Sequence, residues 1–357
     1  IKGDFSMSKL KIAFAGVGNM GQCAHLRNFA TLKNLCEVSA ISDPRIKTAK
    51  AVAARYNIPN VYQDALEMIE KEDIDAIVAS QPFTRHGVLI PELLKARVPI
   101  FIEKPLSSNI ESGEKILKAI KDSGTWIMVG YHKRSDPAAM FAKKEILKLK
   151  ASKEIGKIKY LRITMPPGDW VANGFFDLIK EDEYQNNFQS EPAPTDMNTE
   201  TFKKYTTFVN YYIHQINLAK YLLDEKYNIS YADPDEILLV GKTNSNITIS
   251  IEMAPYSTSI DWQESAIVCF ERGWVRLDIQ APLRINIPGK IEIFKDPGNE
   301  KIPERIIPQM PSIHPMRQQA INFISAVKGE IPPICDAEEA LDDLKIARQY
   351  LKLLTGK

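Results

Sequence analysis

The stretch Lys11-Ile12-Ala13-Phe14-Ala15-Gly16-Val17-Gly18-Asn19-Met20-Gly21 decides the fold of this chain. A short apolar run, which predicts a buried strand, leads directly into a glycine-rich loop and then into a helical pattern. Glycines at this spacing permit a tight turn, close approach of the backbone to a pyrophosphate, and tight helix–strand packing. The N-terminus of the helix supplies N–H groups and partial positive charge for phosphates. The stretch therefore predicts a dinucleotide site rather than a bare tight turn, with contacts from Gly16, Gly18, Asn19, Met20 and Gly21.

An acidic residue, Asp43, ends the second predicted strand, where an acid should meet the adenosine ribose. A carboxylate at this place repels a 2′-phosphate, which favours NAD over NADP. Arg45 and Lys47 follow at once and could offset that repulsion. NAD is therefore the predicted cofactor, NADP remains possible, and Arg45 joins Asp43 as a candidate cofactor residue.

Residues 8–131 alternate short apolar runs with longer amphipathic stretches such as Ile110 to Lys121. Strands that alternate with helices and are buried on both faces predict a doubly wound parallel sheet, the Rossmann architecture. The predicted strands are Lys11–Ala15, Val38–Ser42, Ala76–Ala79, Ile100–Glu103 and Trp126–Val129.

Residues 132–357 have a different pattern. Ile247 to Met253 alternates strictly, as a strand with one buried and one wetter face does, and the runs on either side of Arg272-Gly273 predict a hairpin. We predict an α+β domain with an open-faced, mainly antiparallel sheet and few helices, whose last helix is a candidate to pack back on the first domain. Such a sheet must cover its far face, so we expect the protein to self-associate.

Composition excludes several classes of protein. The net charge is +1, and no apolar run approaches the ~18 residues of a membrane span, so nucleic-acid and membrane partners are not expected. The four cysteines are scattered and the five histidines are isolated, so neither disulfides nor a metal site is predicted. The start of the chain lacks the layout of a signal peptide. We therefore expect a cytoplasmic protein with a small-molecule substrate.

Lys104 follows the fifth strand in Glu103-Lys104-Pro105, at the carboxyl edge where ligands bind in such sheets. A partly desolvated lysine beside a positively charged nicotinamide has a lowered pKa, which suits proton transfer from an alcohol. By position alone, a surface lysine in a proline turn is the better interpretation.

A second polar group lies at Asn210, His214 and Asn217, spaced i, i+4 and i+7 at the head of a helical pattern. Residues at this spacing project from one helix face, which predicts a wet cleft. A lone histidine is more often structural than catalytic. Between the two groups, residues 166–205 form a long, acidic, proline-rich segment with aromatic residues that include Trp170, Tyr184 and Phe188. It is interpreted as a lid or as an oligomer-packing arm.

Taken together these motifs resemble the Gfo/Idh/MocA oxidoreductases over nearly the whole chain. Further matching stretches are Gly130 to Pro137, Ile155-Gly156-Lys157 and the helix start Asp336 to Ala340. The resemblance implies an N-terminal Rossmann domain joined to an open-faced sheet domain, which in this family commonly mediates a homodimer or homotetramer. It also implies oxidation or reduction of sugars, cyclitols and related compounds with NAD or NADP.

The resemblance assigns roles to individual residues. Lys104 would hold the reacting oxygen, His214 would be the acid/base, and Asp43 would bind the ribose. Further cofactor contacts would come from Gln81, Pro82, His86, Glu103 and Lys104. Further substrate contacts would come from Tyr131, Arg134 and Asn210. Independently of the resemblance, Trp170 or a neighbouring aromatic side chain is a candidate to stack on an apolar sugar face.

The chain departs from the family pattern at three positions: Asn210 and Asn217 replace common aspartates, and Phe83 replaces a common asparagine. Asparagine can orient a histidine or a hydroxyl, but it cannot carry charge or a proton. We predict an NAD(P)-dependent dehydrogenase of a sugar, glycoside or cyclitol, with His214 as base oriented by Asn210. The alternatives are redox-neutral, NAD-dependent glycoside cleavage and a non-catalytic sugar or dinucleotide sensor.

Overall fold

A computed structural model describes residues 9–182 and 188–356, so Tyr184 of the aromatic segment lies outside the described residues. The chain forms two compact units, and each is discontinuous in sequence. The first contains the described residues up to Gly130 together with those of Phe175–Glu191 and Ala320–Ala337. The second contains Tyr131–Gly174, Pro192–Gln319 and the residues from Glu338 onward. The division into domains 8–131 and 132–357 stays a prediction.

The first unit is built on a six-stranded parallel sheet in the order β3-β2-β1-β4-β5-β6. The strands are β1 Leu10–Ala15, β2 Cys36–Ser42, β3 Asn60–Tyr62, β4 Ala76–Ala79, β5 Ile100–Glu103 and β6 Ile127–Gly130. The predicted doubly wound sheet is confirmed. β3 was not predicted because it is three residues long and half-buried throughout, which leaves almost no periodic signal. The strand order reverses between β1 and β4, which opens a crevice at their carboxyl ends.

The helices of the described residues complete both units. In chain order they are α1 Arg27–Phe29, α2 Ile46–Tyr56, α3 Ala65–Lys71, α4 His86–Leu93, α5 Ile110–Ser123, α6 Pro137–Ser152, α7 Thr199–Tyr211, α8 Ile213–Leu223, α9 Pro315–Val327 and α10 Ala337–Thr355. A π-helical turn, Gly21–Leu26, leads into α1 directly after the glycine loop.

Aromatic side chains explain why residues 320–337 belong to the first unit. Phe323 of α9 packs edge-on against Phe101 of β5 at 5.7 Å between ring centroids and against Phe29 at 6.2 Å. Phe29 in turn contacts Phe14 of β1 at 5.5 Å. All four rings are almost completely buried, so a segment distant in sequence fills the core beneath β1 and β5.

The second unit holds an eight-stranded sheet in the order β14-β13-β12-β11-β7-β10-β9-β8. Its strands are β7 Ile158–Thr164, β8 Tyr227–Ala232, β9 Leu238–Thr243, β10 Thr248–Glu252, β11 Glu264–Phe270, β12 Gly273–Ile279, β13 Lys290–Lys295 and β14 Glu304–Ile306. All neighbouring strands are antiparallel except β7 and β10, so the predicted mainly antiparallel sheet is confirmed.

Two details of this unit differ from expectation. The alternation in β10 predicted a wetter face, yet Ser250 is buried, because its hydroxyl bonds to the Tyr160 hydroxyl of β7 at 2.5 Å. The unit also contains α6, α7, α8 and most of α10, which is more helix than the sequence pattern indicated.

The four cysteines are free thiols. All four lie in the described part of the chain, and burial raises the pKa of the Cys36 thiol to about 11. Among the described residues, no helix combines the length and apolar character that crossing a membrane requires.

Asp136 ties the start of α6 to the start of β13 in the second unit. Its carboxylate accepts a hydrogen bond from the Ala138 N–H at 2.8 Å and from the Gly289 N–H at 2.9 Å. Burial raises the pKa of this carboxyl from 3.8 to about 6, although these backbone N–H groups act in the opposite direction. In the folded state the side chain therefore holds its proton at pH values where the unfolded chain has released it.

Replacing Asp136 by asparagine removes this titration. Because the folded-state pKa is raised, the wild-type protein should lose about 3 kcal/mol of stability relative to Asp136→Asn between about pH 4 and pH 6. Above that range the difference should stay constant. Urea denaturation of both proteins across these pH values measures the difference in free energy of unfolding. A difference that is independent of pH, or that rises with pH, would contradict this assignment.

Candidate functional site

The glycines of the loop after β1 serve different purposes. Gly16 has a φ of +103°, and a Cβ there would lie 2.4 Å from the Ser80 carbonyl oxygen. A Cβ at Gly21 would lie 2.5 Å from the Gly16 oxygen. At Gly18, by contrast, the nearest atom is Nη2 of Arg45 at 3.5 Å. The fold therefore requires glycine at Gly16 and Gly21, whereas at Gly18 it only leaves room beside the loop.

Asp43 is brought to the glycine loop, as the sequence predicted. Its Oδ2 accepts a hydrogen bond from the Val17 N–H at 3.0 Å. Arg45 donates from Nε to Oδ1 at 2.9 Å and from Nη2 to Oδ2 at 2.8 Å, and both side chains are largely buried. A carboxylate held by a bidentate guanidinium is electrostatically neutralised next to Gly18.

Residues 179–182 are bound to the same edge. The Gln22 side chain donates to the Val17 and Ile179 carbonyl oxygens and accepts from the Ile179 N–H, at 2.8, 3.0 and 3.0 Å. The Thr48 hydroxyl accepts from the N–H groups of Glu181 and Asp182. Part of the segment 166–205, for which both a lid and an oligomer-packing arm were predicted, therefore packs on the helices that flank the glycine loop.

Residues 188–191 of the same segment contact the start of α4 and the loop after β5. Glu191 accepts from the Gly87 N–H at 2.6 Å and from the Ser108 N–H at 2.8 Å. The Arg85 guanidinium lies 4.0 Å from the Phe188 ring centroid. Glu191 was missed because a carboxylate far away in sequence has no local signal.

Gln81 lies between these features. Its amide donates to the Ala15 carbonyl oxygen at 2.9 Å, and its own oxygen accepts from Arg85 at 3.2 Å. Pro82 precedes a short 3-10 turn, Phe83–Arg85. The structure thus places Gln81 beside the glycine loop, at the ends of β1 and β4.

Two buried groups support the turn that carries Lys104. Glu103 bonds to the His25 imidazole at 2.5 Å and accepts from the Lys104 N–H at 3.2 Å. Burial acts to raise the pKa of Glu103, but the hydrogen bond and charge of His25, together with the charge and N–H of Lys104, hold the pKa below its ordinary value. His86 is completely buried, and its Nδ1 lies 3.1 Å from the carbonyl oxygen of Pro105.

Burial lowers the pKa of His86, which keeps the imidazole neutral with Nδ1–H as the donor to this carbonyl. The predicted cofactor residues Glu103 and His86 thus support the Lys104-Pro105 turn from within the unit. The Lys104–Pro105 peptide bond is cis.

In the second unit, the prediction that Asn210, His214 and Asn217 project from one helix is wrong. The helix is interrupted at Tyr212, so Asn210 belongs to α7 and the other two residues belong to α8. Asn210 is exposed, His214 is half-buried and Asn217 is buried. The i, i+4, i+7 rule fails here because it assumes one unbroken helix.

His214 lies in an aromatic cluster in the first turn of α8. The His132 ring contacts it edge-to-face at 4.6 Å between centroids, and the Tyr131 ring lies at 5.9 Å. Tyr131 was a candidate from sequence. His132, in the 3-10 turn His132–Ser135 that follows β6, was not.

Asn217 and Arg134 belong to a buried polar network. Arg134 donates from Nε to the Asn217 oxygen at 2.6 Å and from Nη1 to Glu339 at 2.9 Å. The Asn217 amide donates to Asp343 at 2.6 Å, and Lys220 pairs with the same carboxylate at 2.7 Å. An aspartate at position 217 would set two buried carboxylates against each other, so asparagine suits this network. The asparagine here is explained by packing and hydrogen bonding within the unit.

The sequence-predicted residues thus fall into two groups, one in each unit. The first unit unites the glycine loop, Asp43, Arg45, Gln81 and the Lys104 turn, and the second unites His214 with Tyr131. Trp170 lies in the second unit, where its carbonyl oxygen accepts from the Leu283 N–H at 3.3 Å. Within the part of the chain that the structure describes, no group of three or more His, Cys, Asp or Glu residues could hold a metal ion.

Comparison with known proteins agrees with this geometry. Residues 10–131 match the family described as "Oxidoreductase family, NAD-binding Rossmann fold" (GFO_IDH_MocA). The scyllo-inositol 2-dehydrogenase (NAD(+)) of Bacillus subtilis is 30% identical over 170 residues, which are 46% of this chain and 48% of that protein. The inositol 2-dehydrogenase of Acidothermus cellulolyticus is 31% identical over 138 residues, or 38% of this chain and 40% of that protein. The chain spans about half the length or less of these curated relatives.

Solved structures match over nearly the whole chain. The apo scyllo-inositol dehydrogenase of Lactobacillus casei has a TM-score of 0.68 at 17% identity, covering 98% of this chain and 96% of that one. An Agrobacterium radiobacter oxidoreductase, solved in complex with NAD+, L-tartaric acid and magnesium, has a TM-score of 0.70 at 13% identity, covering 98% of each chain. At these identities the likeness shows a common fold.

Proposed function

We propose that this chain, whose residues 10–131 match the NAD-binding Rossmann family of Gfo/Idh/MocA oxidoreductases, is a dehydrogenase that oxidises a secondary hydroxyl of a cyclitol or sugar. The observation that carries the proposal is the placement of Lys104. It directly follows β5, so its turn lies at the same carboxyl edge of the sheet as the glycine loop after β1.

The glycine loop suits a dinucleotide on structural grounds. A Cβ at Gly18 would meet nothing closer than Arg45 Nη2 at 3.5 Å, and Asp43 is positioned beside the loop. The loop also opens the helix whose N–H groups attract phosphate. Gly16, Gly18, Asn19, Met20, Gly21, Asp43 and Gln81 would hold the cofactor. When bound, NAD supplies the hydride acceptor for the reaction.

The catalytic roles follow from the chemistry of the side chains. Lys104 can donate a hydrogen bond to the substrate oxygen and stabilise the negative charge that develops as the hydride leaves. His214 can accept the hydroxyl proton because a neutral imidazole is a base near neutral pH. We assign these two steps to these two residues. The presence of asparagine at position 217 does not count against catalysis, because its hydrogen bonds to Arg134 and Asp343 give it a structural role.

Cyclitols are the preferred substrate class because the curated relatives are named inositol dehydrogenases. The direct assay mixes the protein with NAD+ and, separately, scyllo-inositol, myo-inositol and a panel of aldoses, and follows NADH fluorescence. Formation of NADH with at least one compound is expected. Binding of NADH without turnover of any compound would count against a dehydrogenase.

Arg45 should tune the choice between NAD and NADP. Arg45→Ala leaves the Asp43 carboxylate unneutralised, so the affinity for NADP should fall about tenfold relative to that for NAD. Fluorescence titration with NADH and NADPH gives both dissociation constants. Lys47→Ala is the matched control, because Lys47 is exposed and its charge is screened by solvent. Equal losses for the two cofactors in Arg45→Ala would refute this role.

We also propose that the protein is cytoplasmic and forms a homodimer or homotetramer. The unpaired cysteines fit a reducing compartment. The eight-stranded sheet supports self-association, since half-buried apolar side chains such as Trp274 and Phe294 stack on one face at 6.1 Å. Sedimentation velocity would give the state directly.

A further inference from the structure

Glu264 is a completely buried carboxylate at the start of β11. Among the described residues, three side chains meet it: Lys133 forms an ion pair with Oε2, the Gln215 amide donates to Oε1 at 2.8 Å, and the Trp262 indole N–H donates to Oε2 at 3.2 Å. Removing a carboxylate from water is costly, so a partner set of this kind is expected wherever one is retained. The chemistry proposed above makes no direct use of it.

Two of these partners are adjacent in sequence to histidines. Lys133 directly follows His132, and Gln215 directly follows His214. Glu264 therefore joins the 3-10 turn that carries one histidine to the first turn of the helix that carries the other. The two imidazoles meet edge-to-face at 4.6 Å beside this bridge.

A second link lies further along the same elements, where Arg134 donates to Asn217 at 2.6 Å. With both links in place, α8 cannot rotate about its axis or slide along the turn without breaking a buried hydrogen bond. The Glu264 link is the one nearer to His214, because Gln215 is adjacent to it and Asn217 is three residues away.

We propose that Glu264 is a positioning residue that sets the orientation of the His214 imidazole through Gln215 and Lys133. The proposal rests on the catalytic role given to His214 under the proposed function. The carboxylate is retained in the core because its two oxygens hold two chain segments at once.

Gln215→Met tests this bridge, since methionine fills a similar volume and donates no hydrogen bond. Trp262→Phe is the matched control. It removes another hydrogen-bond donor to Glu264, but this donor does not belong to α8, and phenylalanine keeps an aromatic ring. Gln215→Asn, whose amide is one methylene too short to reach Glu264, replaces the methionine variant if that protein does not fold.

The first readout needs no substrate. The protein has five histidines, so ¹³C-histidine resonances can be assigned by single substitutions. The nuclear Overhauser effect between the His132 and His214 rings should be strong in the wild type and in Trp262→Phe, and should weaken severalfold in Gln215→Met. Resonances of His25, His86 and His314 should not move. An effect retained in Gln215→Met, or lost equally in Trp262→Phe, would overturn the proposal.

The second readout uses the cyclitol or sugar that gives NADH. Misorientation of a base should lower kcat about tenfold in Gln215→Met while KM and NADH affinity stay within about twofold. Unchanged kcat would also overturn the positioning role. If no compound is oxidised, the dehydrogenase proposal fails, and the ring contact measured by NMR still decides whether Glu264 positions His214.

Discussion

Replacing Lys104 by methionine should lower kcat for NAD+-dependent oxidation about 10³-fold, because the variant loses both the hydrogen bond to the reacting oxygen and the adjacent positive charge. Methionine matches the length and flexibility of the lysine stem. The buried groups beneath the turn, Glu103, His25 and His86, keep their own contacts in this variant. The dissociation constant for NADH should therefore change by no more than about twofold.

Stopped-flow measurement of NADH formation, with NADH titration in parallel, separates the chemical step from cofactor binding. Lys118→Met is the matched control, because Lys118 is an exposed lysine of the same unit paired with Asp122 at 2.5 Å. The control should be fully active. Wild-type turnover in Lys104→Met would show that Lys104 takes no part in the chemical step.

Replacing Gly18 by alanine should reduce affinity for NADH at least about 100-fold with little effect on folding. The added methyl group meets nothing closer than Arg45 Nη2 at 3.5 Å, so the protein itself tolerates it. The same methyl group would clash with a bound pyrophosphate, because the pyrophosphate approaches the backbone most closely at this glycine. Titration with NADH, together with the thermal unfolding midpoint of the unliganded protein, measures both effects.

Gly16→Ala provides the contrast. There the new Cβ would lie 2.4 Å from a backbone oxygen at a φ of +103°, so this variant should lose stability as well as cofactor binding. Gly18→Ala that binds NADH as tightly as the wild type would contradict a pyrophosphate beside Gly18.

Short-range patterns in the sequence predicted the first unit well. The strand, the glycine loop and Asp43 are encoded within a few dozen residues, and each has a local signature in periodicity or residue type. The hairpin β11–β12 was predicted for the same reason. β3 was missed because three half-buried residues carry no period.

Long-range contacts could not be predicted in this way. Nothing local indicates that Glu191 is bound by Ser108, that Glu264 joins Lys133 to Gln215, or that Phe323 completes the core around Phe101. The break at Tyr212 was also hidden, since apolar periodicity continues across it and the Tyr212 backbone itself keeps helical dihedral angles. Asn217 is an example. From the sequence it suggests that a family aspartate has been lost, whereas in the structure its amide donates the hydrogen bond that the neighbouring Asp343 carboxylate accepts.

The central claim is transfer of hydride from a carbon of the substrate to the cofactor. Its most direct test incubates the protein with NAD+ and carbon-deuterated scyllo-inositol, myo-inositol and aldoses, and determines by mass spectrometry whether the reduced cofactor carries deuterium. We predict that at least one compound yields NADH that is one mass unit heavier, and that Lys104→Met lowers the rate at which this product forms about 10³-fold. Failure of every compound to deliver deuterium to a protein that binds NAD+ would contradict the account.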